Sequence, residues 1–164
     1  MNIPSSTFDI TQYTHLRYHG SFIISAFCGT GKTDFTINHP HSSIERECWK
    51  YQTPDFPRNY VRAIEVFIGV KQFIFISTNP LSLHKLNTKG IPVLMVLPEL
   101  SLKAEYLARF LRRGSDINFV QMLDRNWESW LTEAYNEENN LHVILGSGEY
   151  VSNILHPMTL RGLL

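Results

Sequence analysis

The stretch Ser21–Thr33, SFIISAFCGTGKT, constrains this chain more than any other. A short apolar strand, Phe22–Ser25, runs into a glycine-bearing turn and then into Lys32 and Thr33. This is the order of a phosphate-binding loop, G-x-x-x-x-G-K-[ST]. The match is Ala26-x-x-x-x-Gly31-Lys32-Thr33, with alanine in place of the first glycine. A side chain at Gly29 or Gly31 would stop the backbone N–H groups of Cys28, Gly29, Thr30 and Gly31 from wrapping an anion. Lys32 adds a compact cation for β- and γ-phosphates, and the Thr33 hydroxyl is suited to a Mg²⁺ ion. The helix expected after Thr33 contributes the positive end of its dipole. ATP and Mg²⁺ are therefore the expected cofactors.

The remainder of the chain reads as alternating strands and helices. After a short helix, Thr33–Asn38, stopped at His39-Pro40, a second strand is expected within Ser42–Tyr51. Pro57 suits a helix start, and Tyr60, Val61, Ile64, Phe67 and Ile68 fall at helical spacing. Val70–Ser77 reads as a central strand, Leu81–Lys89 as a short helix and Ile91–Leu97 as another strand. Two amphipathic helices, Ser101–Arg113 and Asp116–Asn136, precede a last strand at His142–Leu145 and a closing helix at Gly148–Leu155. Such alternation predicts an α/β fold with a five-stranded parallel sheet and helices on both faces. The expected organisation is a single domain over 21–164 preceded by an extension, 1–20. For Met1–Gly20 itself, an extension, a short edge strand and a docking arm all remain open.

Composition narrows the class. The length of 164 residues suits one domain with a sizeable core. Fifteen basic and fifteen acidic side chains cancel, so no global field draws the chain to nucleic acid or to an acidic membrane. The two cysteines, Cys28 and Cys48, make no disulfide framework, and no metal-ligand spacing surrounds them. With no apolar leader core or bilayer-length run, a cytoplasmic enzyme without a membrane partner is expected. A dimer is compatible with all of this, and the oligomeric state stays open.

Ligands of an open parallel sheet bind outside the carboxyl ends of its strands. Three groups of residues are expected there. Glu45 and Glu47 lie two apart on a strand, and so on one face, where one suits a magnesium-bound water and the other an acceptor or its proton. A solvated strand edge is the plainer alternative. Arg109, Arg112 and Arg113 are three and four apart on a helix, expected opposite its apolar stripe. They suit phosphate oxygens and, ahead of Gly114-Ser115, predict a closing lid over 101–115. Ser77, Thr78 and Asn79 end a strand with hydroxyls and an amide toward a nucleotide. Asp55, Tyr60 and Arg62 flank the same cleft as monophosphate contacts, with Tyr60 either stacking on a base or packing in the core. No Asp or Glu ends the Phe73–Ser77 strand, which argues against motor ATPases and helicases.

With these residues in view, Phe22–Leu155 resembles a family of small P-loop kinase-like proteins of bacteriophages and bacteria, related to (deoxy)nucleoside monophosphate kinases. The resemblance rests on ISAFCGTGKT, ERECWKY, PDFPRNYVRAI, FIFIST, LKAEYLARFLRRGS, NWESW and GEYVSNIL. It implies a nucleotide kinase-like P-loop NTPase fold and phosphoryl transfer from ATP to a nucleoside or deoxynucleoside monophosphate. Glu45 and Glu47 stand where relatives usually show aspartates, and Arg109, Arg112 and Arg113 occupy the lid. A kinase for a small hydroxyl compound and a nucleotide-binding phage interaction protein are the alternatives.

Overall fold

A computed structural model describes residues 2–157. Its strands are β1 (Asn2–Pro4), β2 (Arg17–Tyr18), β3 (Ser21–Ala26), β4 (Ser43–Arg46), β5 (Phe73–Ile76), β6 (Leu94–Pro98) and β7 (Leu141–Leu145). Its α-helices are α1 (Lys32–Asn38), α2 (Arg58–Glu65), α3 (Pro80–Thr88), α4 (Lys103–Arg112), α5 (Ile117–Tyr135) and α6 (Val151–Ile154). The strand order β1-β7-β6-β3-β5-β4 is parallel at every pairing. Only β2 runs antiparallel, against the start of β3.

The expected sheet had five strands; the observed one has seven. The five expected strands are all present, and both additions come from the first twenty residues. β1 adds to the outer edge through Asn2↔His142, Ile3↔Val143 and Pro4↔Ile144. β2 turns into β3 through His19 (φ 48°) and Gly20 (φ 90°), a two-residue turn with both central residues left-handed. Ile3 in β1 and Phe8, Ile10 and Leu16 between the two strands are buried, so this segment is part of the core. A stretch of three residues is too short for periodicity to announce it as a strand.

β3 is buried along its whole length, as expected for the centre of a sheet covered on both faces. Its hydroxyls are satisfied. Ser21 Oγ donates to the Lys71 carbonyl at 2.5 Å, and Ser25 Oγ donates to the Ser77 carbonyl at 3.1 Å. One face carries Phe22, Ile24, Phe73, Phe75, Leu94 and Val96 against α1, α6 and the N-terminal segment. The other carries Ile23, Ile74, Ile76, Met95 and Leu97 against α2, α3, α4 and α5. Helices therefore cover both faces. Among the described residues no helix is long and apolar enough to cross a membrane.

Candidate functional site

The central strand delivers its loop to the carboxyl edge of the sheet between β5 and β6. Phe27 continues the ladder by donating its N–H to the Val96 carbonyl at 3.0 Å. Thr30 is buried, and its hydroxyl donates to the Phe27 carbonyl at 2.6 Å, which closes the turn from inside. Gly29 and Gly31 have φ of 83° and 93°, a region that side chains strain. Space makes the same demand. A Cβ at Gly31 would lie 3.0 Å from the Tyr150 ring, and one at Gly29 would lie 3.0 Å from both Phe110 and Tyr106. The outside of the loop is thus packed against aromatic rings, while Cys28, Gly29, Gly31, Lys32 and Thr33 line a cleft. The N–H groups of Lys32 and Thr33 open α1 and have no acceptor within that helix.

Lys32 Nζ donates to the Ala26 carbonyl at 2.7 Å, so the side chain folds back across its own loop. Burial lowers its pKa, against the pull of Cys28, Glu45 and Glu47. Burial also pushes the Cys28 thiol up to about 11, which keeps it neutral at ordinary pH. Facing them, Thr33 Oγ1 donates to Glu45 Oε2 at 2.8 Å. Glu45 Oε1 is buried with no hydrogen-bond partner among the described residues. Its carboxyl is held above the usual range, first by burial and further by Glu47, with Thr33 and Lys32 opposing. Glu47 Oε2 accepts from Trp49 Nε1 at 2.5 Å. Glu45 is the third residue of β4, Glu47 follows the strand in extended backbone (φ −101°, ψ 130°), and both line the cleft.

The three arginines separate. Arg109 is buried inside the protein rather than set opposite the apolar stripe of α4. It donates to the Gly29 carbonyl at 2.8 Å, the Glu149 carbonyl at 3.0 Å and Glu105 Oε2 at 2.9 Å. Its guanidinium lies between the Tyr106 and Tyr150 rings, 4.2 and 4.0 Å from their centroids. Arg109 therefore grips the outside of the loop. The reason is local: Tyr106 and Phe110 dock α4 onto that loop, and a residue between them in helical position follows them inward. Arg113 is exposed, lies 4.3 Å over the Phe110 ring and lines the cleft. Arg112 is exposed and does not line it.

The expected acceptor contacts separate too. Tyr60 has 0% exposure, so stacking on a base is excluded in this structure, and core packing is its role. Its hydroxyl donates to the Arg46 carbonyl at 2.5 Å and accepts from Ser77 N–H at 3.2 Å, which ties β4 to β5. Arg62 pairs with Asp55 at 2.5 Å and stands outside the cleft lining. Ser77, Thr78 and Asn79 do line it; Ser77 Oγ accepts from Cys48 N–H at 3.1 Å, and Asn79 caps α3 through Ser82 N–H at 3.0 Å.

The cleft itself measures about 840 Å³. It runs from Lys32 and the acidic pair to a wall of Phe110, Phe119 and Trp130 facing Leu83 and Asn87. Periodicity marks these aromatic residues only as the buried side of a helix, and cannot say whether that side meets protein or a gap. A second contribution missed from sequence is the segment before α6. Val151 N–H donates to the Thr30 carbonyl at 2.9 Å, fastening the loop to the start of α6, and Glu149 just before it accepts from Ser5 Oγ at 2.8 and 2.6 Å. No protein-family model matches this chain, and no curated protein sequence matches it.

Proposed function

We propose that this protein is a P-loop enzyme that transfers the γ-phosphoryl group of ATP to a nucleoside or deoxynucleoside monophosphate in the cytoplasm. One observation carries the reading. The left-handed glycine turn, the desolvated Lys32 and the Thr33–Glu45 pair meet in a single cleft at the carboxyl end of the central strand. An anion entering there meets amide donors at the start of α1 and a half-buried lysine, whose attraction a lowered local dielectric strengthens.

In this reading Lys32 exchanges the Ala26 carbonyl for a phosphate oxygen of the donor. An oxygen of the acceptor phosphate attacks the γ-phosphorus, the bond from that phosphorus to the bridging oxygen breaks, and ADP leaves with the electron pair. The acceptor oxygen is already largely ionised near pH 7, so no strong base is needed. Lys32 and Arg113 oppose the charge spread over the migrating group. Arg109 keeps the loop in shape from behind without touching phosphate. The donor set fits Mg²⁺: the Thr33 hydroxyl, which donates to Glu45 Oε2, and the second oxygen of the same carboxyl, Oε1, which has no hydrogen-bond partner among the described residues. Thr33 and Glu45 would hold the ion, with Glu47 beside them. Mg²⁺ commonly takes one or two carboxylates and completes its shell with phosphates and water, where it neutralises phosphate charge.

Incubation with Mg-ATP and a panel of nucleoside monophosphates tests this. ADP and a nucleoside diphosphate are expected in equal amounts with at least one acceptor. No ADP above the acceptor-free rate with any of them would exclude the reading.

A further inference from the structure

The first twenty residues have no role in the function proposed above, yet one of their side chains reaches the support of the phosphate loop. Ser5 Oγ donates to both oxygens of Glu149, at 2.8 and 2.6 Å, across 144 positions of chain. Oε1 of that carboxylate also accepts from Gly146 N–H at 2.6 Å, and Glu149 N–H donates to the Gly146 carbonyl at 3.2 Å. Among the described residues no cation pairs with this carboxylate, and Ser5 is the one partner of Oε2. Hydrogen bonds to an ionised acceptor are stronger than neutral ones, so these fix the turn to which Glu149 belongs.

That turn meets three consecutive loop residues. The Glu149 carbonyl accepts from Arg109 Nη2 at 3.0 Å, while Nη1 of the same guanidinium donates to the Gly29 carbonyl at 2.8 Å. The Tyr150 ring lies 3.0 Å from where a Cβ on Gly31 would stand, and Val151 N–H holds the Thr30 carbonyl at 2.9 Å. A peptide unit is planar. Holding the Thr30 carbonyl therefore aims the Gly31 N–H on the far side of the same plane. Glu105 of α4 grips the turn at another point, through Ser147 Oγ and Gly148 N–H. Gly148, left-handed at φ 73°, is a soft joint between that grip and Glu149. Ser5 is what holds the carboxylate beyond the joint.

We propose that Ser5 and Glu149 are positioning residues for the phosphoryl donor, a role that rests on the phosphate-loop reading. The clasp between them sets the direction of the Gly31 amide, and with it the affinity of the loop for the donor phosphates. Neither residue lines the cleft, so neither touches phosphate; the effect passes through backbone. The N-terminal segment then completes the site from behind, besides adding a strand to the sheet.

Calorimetric titration of the whole chain with inorganic tripolyphosphate and Mg²⁺ decides the matter. Ser5→Ala is expected to weaken binding threefold or more, and Glu149→Gln tenfold or more. Ser5→Thr, which keeps the hydroxyl, should stay within twofold. Two controls lie in the same segment but do not touch Glu149. Asn2→Ala removes the partner of His142 Nδ1, and Thr7→Ala removes a bond to the Pro4 carbonyl. Both should leave affinity within twofold, however they change the melting temperature. In turnover of Mg-ATP, Ser5→Ala should raise KM and leave kcat within twofold, the pattern of lost ground-state binding. If Glu149→Gln fails to melt cooperatively, Ser5→Ala decides alone. Unchanged affinity in folded Ser5→Ala overturns the proposal. So does an equal loss in Asn2→Ala or Thr7→Ala, which would make the segment a support of the fold only. Binding that is lost in Lys32→Ala but intact in Ser5→Ala removes the clasp and keeps the loop reading. No binding by the unaltered chain removes both.

Discussion

The two faces of the sheet are built from the same apolar strands but packed to different ends. On the face covered by α1, α6 and the N-terminal segment, Phe22 stacks on Phe73 at 6.0 Å, and Phe35 meets Phe73 and Phe75 at 5.7 and 5.2 Å. Large rings from several elements interlock and close it. On the opposite face the helices α2 and α5 seal parts of the sheet, yet α3 and α5 stand apart over Met95. The closed face supplies rigidity and the open face supplies space. The Ala26–Thr33 loop joins them, held from behind by Arg109 and by Tyr150 and Val151, while Cys28, Gly29, Gly31, Lys32 and Thr33 line the cleft. A preorganised site needs this kind of backing, because a loop free to relax loses the geometry that binding requires.

Four substitutions or conditions probe that contrast, in decreasing order of effect. On the closed face, Phe75→Ala is expected to cost about 3–5 kcal/mol of unfolding free energy, since its ring is fully buried against Phe35. Denaturant titration measures it, and a cost under about 1 kcal/mol would mean that this face is not the rigid one. On the open face, Lys32→Ala should do the reverse. Turnover of Mg-ATP is expected to drop about a hundredfold or more while the unfolding midpoint hardly moves. Undiminished turnover by a folded variant would remove Lys32 from the chemistry.

Arg109→Ala should affect both properties, because it lies where the two faces meet. Loss of charge-assisted bonds to Gly29, Glu149 and Glu105 predicts a cost of about 2 kcal/mol. Arg109→Lys should recover little, because a lysine cannot reproduce the planar fork between two rings. Full stability in either variant would show that the loop is held without it. The smallest effect belongs to the sheet edge. His142 has 1% exposure, with Nδ1 3.0 Å from Asn2 Oδ1 and Nε2 3.4 Å from Glu137 Oε2. Burial depresses its pKa below the ordinary 6.5, while Glu137 opposes the shift. An unfolded imidazole then takes up a proton more readily than the folded one. Stability is accordingly complete above pH 6.5 and declines as pH falls from there toward the depressed folded value. His142→Gln should flatten this decline; an identical acid profile would assign it to other groups.

What the chain's sequence determined by itself was local. Apolar runs located β3, β5, β6 and β7, the extended stretch after His39-Pro40 located β4, and the Gly29-x-Gly31-Lys32-Thr33 spacing located the loop, because strand patterning and left-handed turns are written in neighbouring residues. The paired line of Glu45 and Glu47 followed from the two-residue period of extended backbone. The tertiary structure decided everything that depends on distant partners. β1 exists only because β7, some 140 residues later, offers an edge to Asn2–Pro4. Arg109 turns inward because Gly29 and Glu149 present carbonyls to it there, whereas Arg113, four residues on, meets the cleft. Tyr60 and Trp130 both read as aromatic residues on helices; the first found Arg46 and Ser77 to seal it in, and the second found the space between α3 and α5. Periodicity names the side of a helix that avoids water, but only the packing of the other helices determines whether that side is filled by protein or left open for a ligand.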